Sequence, residues 1–137
     1  MPVGKTRDVG WQIGVSITVP RPAPVVWDWL VSQEGLATWL GDGVELTGTR
    51  GEPYETADGT HGELRSFRPR NRVRLTWQPR DWAHDSTVQV AVDDKVDRTR
   101  IVFHQERLAD ADERARQRDH WKTVSETVRR ALSQDDR

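Results

Sequence analysis

The stretch DADERARQRDHWKTVSETVRRAL, residues 110–132, decides the fold that this sequence predicts. Its apolar residues recur at intervals of three and four, which places them on one face of a long helix. They are Trp121, Val124, Val128, Ala131 and Leu132. Asp110 can cap this helix, and Glu113 stands at the spacing of a capping box. A helix with one apolar face needs a surface to cover it, and the preceding chain is expected to supply that surface.

The chain before the helix contains short runs in which apolar and polar residues alternate, as in half-buried strands. Strands are predicted at residues 11–19, 44–47, 53–56, 60–68, 73–77, 88–92 and 101–107. The Asp58-Gly59 pair is a strong hairpin signal. Two short helices, residues 25–31 and 33–40, follow the first strand, with Ser32 as the cap of the second.

The short connections between these strands require antiparallel pairing. We therefore expect one α+β domain, in which a curved antiparallel sheet of about six to seven strands wraps around the long carboxy-terminal helix. The domain is predicted to cover residues 11–132, with flexible tails at 1–10 and 133–137. A sheet bent around one helix cannot touch it everywhere, so a cavity is expected between them.

This order of elements, together with several motifs, resembles the START-like (SRPBCC, helix-grip) superfamily. Within it, the similarity is to the family named after the activator of the heat-shock-protein ATPase. The motifs are PAPVVW at 22–27, GLATW at 35–39, DGTHG at 58–62, RVRLTW at 72–77, TRIVFHQERL at 99–108 and His120-Trp121. The resemblance implies the helix-grip fold. The superfamily includes lipid and hormone carriers, cyclases, hydrolase-like members and chaperone regulators.

Composition excludes several classes of function. A net charge of −1 gives no general attraction to nucleic acid or to an anionic membrane. The sequence has no cysteine, and its histidines lack the spacing of metal ligands, so we expect neither a metal nor a cofactor. It contains neither a membrane-spanning apolar run nor a signal-peptide core, and the expected location is the cytoplasm.

Eight residues are predicted to line the cavity. They are Trp39, Tyr54, Trp77, Val90, Phe103, Gln105, Gln117 and Trp121. Aromatic walls suit a planar apolar ligand, although such side chains equally serve to fill a core. Arg114 and Gln117 continue the helix stripe with polar residues. They could meet the polar end of a ligand, or the first half of the helix could be solvated.

His104 and Glu106 share one face of the last strand, opposite to Phe103 and Gln105. They form either a structural pair at the strand-to-helix corner or an acid–base pair at the cavity rim.

Arginines crowd one predicted hairpin. They are Arg65, Arg68, Arg70, Arg72, Arg74 and Arg80, with no acidic residue between the first and the last. Arg72 and Arg74 alternate with an apolar row and therefore point away from the core. The pattern indicates a solvated face paired with neighbouring acids such as Glu63 or Asp93, and an anionic partner is the alternative.

We expect the domain to bind a small, largely apolar or amphipathic molecule in this cavity without covalent catalysis. The resemblance implies two alternatives. One is a cyclase- or hydrolase-like enzyme that uses the same cavity, with Tyr54, His61 or His104 as candidate proton donors. The other is a protein-interaction module that regulates a chaperone or another protein partner.

Overall fold

The computed structural model describes residues 5–6 and 10–133. In chain order, its elements are β1 (Lys5–Thr6), β2 (Gly10–Val19), α1 (Ala23–Leu30), α2 (Gln33–Trp39), β3 (Pro53–Glu55), β4 (His61–Arg68), β5 (Arg72–Trp77), β6 (Ser86–Asp94), β7 (Thr99–Leu108) and α3 (Ala111–Ser133). The strands form one antiparallel sheet in the order β1-β2-β7-β6-β5-β4-β3. The predicted α+β fold with a long carboxy-terminal helix is confirmed. The predicted tails fall largely outside the described residues.

The inner face of the sheet carries three apolar rows, one each from β5, β6 and β7. Val90 of β6 pairs with Val73 on one side and with Phe103 on the other, and all three side chains are buried. Because side chains alternate between the faces of a strand, the intervening residues point outward. The alternation that the sequence predicts for these strands is confirmed.

Helix α3 packs on the inner face of the sheet and lies mainly against β2. Its buried stripe comprises Glu113, Gln117, Trp121, Val124, Ser125, Val128 and Leu132. The carboxylate of Asp110 accepts a hydrogen bond of 2.8 Å from Glu113 N, and the Glu113 carboxylate accepts one of 2.9 Å from Ala109 N. The predicted cap is therefore confirmed. The alternative of a solvated first half is wrong for Gln117, which is only 8% exposed.

The predicted strand at 44–47 does not form. Where it would end, the Glu52 carboxylate accepts hydrogen bonds from the amides of Thr47, Gly48 and Thr49. Burial alone would raise the pKa of Glu52, but these hydrogen bonds lower it on balance. Amides held in this way are not free to pair with a neighbouring strand.

The two short helices cross at a glycine. Ser32 Oγ caps α2 by accepting a hydrogen bond of 3.1 Å from Gly35 N. A side-chain carbon added at Gly35 would lie 1.9 Å from the carbonyl oxygen of Trp29. The close approach of α1 and α2 therefore requires a residue without a side chain at this position.

Gly35→Ala tests this crossing. We expect the substitution to destabilise the fold by about 1–3 kcal/mol through overpacking, although alanine is the better helix former. Urea denaturation would measure the loss. Thr38→Ala, on the exposed side of the same helix, is the control and should change stability by less than about 0.5 kcal/mol. A Gly35→Ala variant as stable as the parent would contradict the close approach.

Candidate functional site

A buried amide joins α3 to the sheet. Gln105 follows Ile101 and Phe103 in the inward row of β7 and is fully buried. Its Oε1 accepts hydrogen bonds of 2.9 Å from both Gln117 Nε2 and Trp121 Nε1 of α3. A polar side chain tolerates such burial only when it has partners, and here both atoms of the amide have them.

The same network extends along the sheet. Gln105 Nε2 donates a hydrogen bond of 2.9 Å to Ser86 Oγ, which in turn donates one of 2.8 Å to the carbonyl oxygen of Trp77. We call Gln105, Gln117, Trp121 and Ser86 the polar node. It connects α3, β7, β6 and β5 through side chains inside an otherwise apolar interior.

Aromatic rings surround the polar node in a continuous series of contacts. The rings belong to Trp77, Trp82, His84, Phe103, His120 and Trp121, which we call the aromatic cluster. Phe103 stacks on Trp121 with ring centroids 5.5 Å apart, and Trp77 meets Trp82 edge to face at 5.3 Å. His120 connects the two halves, since it contacts both Trp77 and Trp121. The cluster therefore runs from the loop between β5 and β6 to the middle of α3.

One buried donor in this cluster has no acceptor within the described part of the chain. Trp77 is 8% exposed, and its Nε1 has no hydrogen-bond partner among the residues that the structure describes. Other tryptophans use theirs: Trp39 Nε1 donates to Leu30 O at 2.9 Å, and Trp121 Nε1 donates to Gln105. A buried N–H without an acceptor costs roughly 1–3 kcal/mol. Its position in the cluster marks a place where a bound acceptor would be favourable.

The loop between β5 and β6 is tied to the start of α3. His84 Nε2 lies 2.9 Å from Glu113 Oε1, and its Nδ1 lies 2.8 Å from the carbonyl oxygen of Asp85. Burial alone would lower the pKa of His84, but its hydrogen bonds to Glu113 and Asp85 raise it on balance. Burial lowers the pKa of His120, which favours a neutral imidazole beside Trp77.

All eight predicted lining residues are buried, and the contacts above connect five of them. These are Trp77, Phe103, Gln105, Gln117 and Trp121. Val90 lies beside Phe103 in the sheet. Tyr54 donates a hydrogen bond of 2.6 Å from its hydroxyl to Thr76 O, and burial raises its pKa. Trp39 is held separately by its bond to Leu30.

Sequence reasoning missed four members of the site. Ser86 lies two residues before Val88, in the inward phase of the same strand, so alternation could have identified it. His120 adjoins Trp121 but falls at the edge of the apolar stripe. Trp82 and His84 lie in a loop, where no periodicity indicates which side chains turn inward.

The candidate proton donors do not share one site. Tyr54 and His61 line a groove of about 470 Å³ at the β3–β4 edge. His104 lies on the outer face, with Nε2 3.0 Å from Gln12 Oε1, and burial lowers its pKa. Its predicted neighbour on that face, Glu106, pairs with Arg74 of β5. An acid–base role at the cavity rim would require His104 and Glu106 to reach the interior. They do not, because both make their contacts on the outer face.

Acidic partners for the arginines were predicted only in part. Glu63 pairs with Arg65 at 2.9 Å, as expected. Asp93 pairs instead with Lys95 at 3.1 Å, because both lie at the same hairpin.

Within residues 10–133, no group of three His, Asp or Glu side chains is arranged to hold a metal ion. No helix in the described part of the chain is long and apolar enough to span a membrane.

Two tryptophan variants test whether Trp77 Nε1 lacks an acceptor. Trp39→Phe and Trp77→Phe remove the same ring atoms, but only the first also removes a hydrogen bond. We expect Trp39→Phe to lower the free energy of unfolding by about 1–3 kcal/mol more than Trp77→Phe, because it leaves the carbonyl of Leu30 without its donor. Urea denaturation of both variants checks the difference. Equal losses would indicate that Trp77 Nε1 has an acceptor in solution.

Among curated protein sequences, none matches this chain. Several solved structures share its fold. CalU16 from Micromonospora echinospora is 15% identical with a TM-score of 0.76, over 93% of this chain and 79% of that one. An HSP90 activator from Plasmodium falciparum is 18% identical with a TM-score of 0.69, over 83% and 89% of the two chains.

DynU16, from the dynemicin biosynthetic locus, is 19% identical with a TM-score of 0.74, and the match covers 88% of this chain. This chain spans less than half, 46%, of the length of DynU16. At these identities the structures show a common fold. The sequence profile of the family described as activator of Hsp90 ATPase homolog 1-like protein matches residues 20–133, and the chain belongs to that family.

Proposed function

We propose that the domain binds a small, largely apolar molecule between the sheet and α3, and that the ligand accepts a hydrogen bond from Trp77 Nε1. The observation that carries the proposal is this buried indole donor without an acceptor in the described structure. Buried donors are nearly always paired, so an exception inside an aromatic cluster supports a role in binding.

The surroundings of Trp77 favour a flat ligand with one acceptor oxygen. Trp82 and His120 offer ring edges and faces for stacking. The polar node is already satisfied internally, so a ligand with many polar groups would find few free partners. In this proposal the wall is formed by the eight predicted residues, namely Trp39, Tyr54, Trp77, Val90, Phe103, Gln105, Gln117 and Trp121.

Entry to this site involves the loop between β5 and β6. The rings of the cluster touch one another, so a ligand must displace at least one of them. Trp82 is half-buried, lies outside the strands and contacts Trp77 directly. Loops open at lower cost than paired strands, which makes the Trp82 side chain the movable wall.

A second candidate function is regulation of a chaperone through protein contact. It is favoured by the description of the family and by the HSP90 activator that shares the fold. Both candidate functions suit a cytoplasmic protein, the location expected from the sequence.

A matched pair of probes tests ligand binding at Trp77. Flavone is flat and apolar with a carbonyl acceptor, whereas 2-phenylnaphthalene has similar size and no acceptor. We expect flavone to bind more tightly by about tenfold, the effect of one hydrogen bond to a donor that is otherwise unpaired. In ¹H–¹⁵N spectra, the indole resonance that is missing from Trp77→Phe should move most on addition of flavone.

The Trp77→Phe variant should bind the two probes equally, while Trp29→Phe, whose N–H donates to Glu34 near the surface, should retain the preference for flavone. Equal affinity of the parent protein for both probes would contradict the role of Trp77. If neither probe binds, and the parent and Trp77→Phe stimulate a purified Hsp90 ATPase alike, the second candidate function is the better one.

A further inference from the structure

The outer face of the sheet carries a groove of about 710 Å³ that is lined by six arginines. They are Arg50, Arg65, Arg68, Arg72, Arg74 and Arg107, and we call this feature the arginine groove. Ser66, Thr76 and Thr87 add hydroxyl groups to its floor. It lies on the face opposite to Trp77, because β5 alternates between the two sides. An inference about it is therefore independent of the ligand proposed for the interior.

Only half of these arginines are neutralised by acids. Arg65 pairs with Glu63 at 2.9 Å, Arg107 pairs with Asp85 at 3.2 Å, and Arg74 pairs with Glu106. The remaining three, Arg50, Arg68 and Arg72, form no salt bridge with any residue in the described ranges. The groove thus has an excess of positive charge on a chain whose net charge is −1.

Two of the unpaired arginines face each other. Arg68 of β4 lies directly opposite Arg72 of β5 in the antiparallel ladder, and both point outward. Like charges directly across a strand pair destabilise a sheet. The Nε of Arg72 makes a long hydrogen bond of 3.4 Å to Ser66 Oγ. An anion between Arg68 and Arg72 would relieve this repulsion and would accept hydrogen bonds from both guanidinium groups.

The spacing of the groove is that of an extended chain. Arg72, Arg74 and Thr76 are successive outward positions of β5, so they lie about 6.6 Å apart and span about 13 Å. An extended peptide repeats its side chains at the same interval. Carboxylates at alternate residues of a segment about four or five residues long would place one beside Arg72 and the next beside Arg74, which shares its guanidinium with Glu106.

We propose that the arginine groove binds an extended acidic segment of a partner protein, with its carboxylates at alternating positions. Nucleic acid fits less well. A long polyanion would continue beyond the groove onto a chain of negative net charge, and single-strand sites use exposed aromatic rings for stacking. The one aromatic residue in the groove, Phe67, packs on Trp27 instead, with centroids 5.5 Å apart.

A fluorescent peptide in which glutamate alternates with serine tests the proposal by anisotropy titration. The comparison peptides have the same composition with the glutamates contiguous, or glutamine in place of glutamate. We expect the alternating peptide to bind most tightly. The Arg68→Gln/Arg72→Gln double variant should bind it about tenfold more weakly or worse, since two charged donors are lost. Arg98→Gln, in the hairpin after β6, removes a distant charge and should change affinity less than twofold.

Melting curves establish that each variant is folded. If the double variant does not fold, the single variant Arg68→Gln replaces it, because Arg68 is exposed. Binding should weaken as salt is raised from about 0.05 M to about 0.3 M. The proposal is overturned if no peptide binds, if the contiguous and alternating peptides bind equally, or if Arg98→Gln weakens binding as much as the double variant. Tighter binding of single-stranded oligothymidylate than of the alternating peptide would likewise overturn it.

Discussion

The side-chain amide of Gln105 holds the long helix to the sheet, and the arrangement of the interior depends on it. One oxygen of this amide receives donors from Gln117 and Trp121, which lie four residues apart and therefore on the same face of α3. Apolar contacts alone would allow the helix to rotate or slide at modest cost. A buried acceptor that must be satisfied admits only one rotation of the helix, because any other would leave it unpaired.

The alternation of a single strand creates two surfaces of opposite character. In β5, Trp77 points inward to the aromatic cluster, whereas Arg72 and Arg74 point outward into the arginine groove. Inside, the notable feature is a buried donor that lacks an acceptor among the residues described. Outside, it is the three arginines of the groove, Arg50, Arg68 and Arg72, that form no salt bridge within the described part of the chain. Both features leave a free-energy cost in the isolated chain that a suitable partner would remove.

Much of the fold could be predicted from the sequence because its elements have strong periodicity. The stripe from Trp121 to Leu132 and the alternating rows of β5 to β7 needed no knowledge of their neighbours. The strand predicted at 44–47 does not form, and where it would end the Glu52 carboxylate binds the amides of Thr47, Gly48 and Thr49. Hydrogen bonds made by a side chain leave no trace in hydropathy.

The polar node was harder to predict for a related reason. Gln117 and Gln105 each look out of place in an apolar row, and only together do they satisfy each other inside the core. When the strand or the helix is considered by itself, its glutamine therefore suggests solvent or a ligand as the hydrogen-bond partner. Trp82 and His84 were missed because their loop has no period, and only the contacts with Trp77 and Glu113 show that they turn inward.

A double-mutant cycle between Gln105 and Trp121 tests most directly whether the buried amide joins helix and sheet. Urea denaturation would compare the parent, Gln105→Met, Trp121→Phe and the double variant. Trp121→Phe should lower the free energy of unfolding less in the Gln105→Met background, because the indole N–H that it removes has no acceptor there. We predict a coupling free energy of about 1–3 kcal/mol. Losses that add to within about 0.5 kcal/mol would contradict this account of how α3 is held.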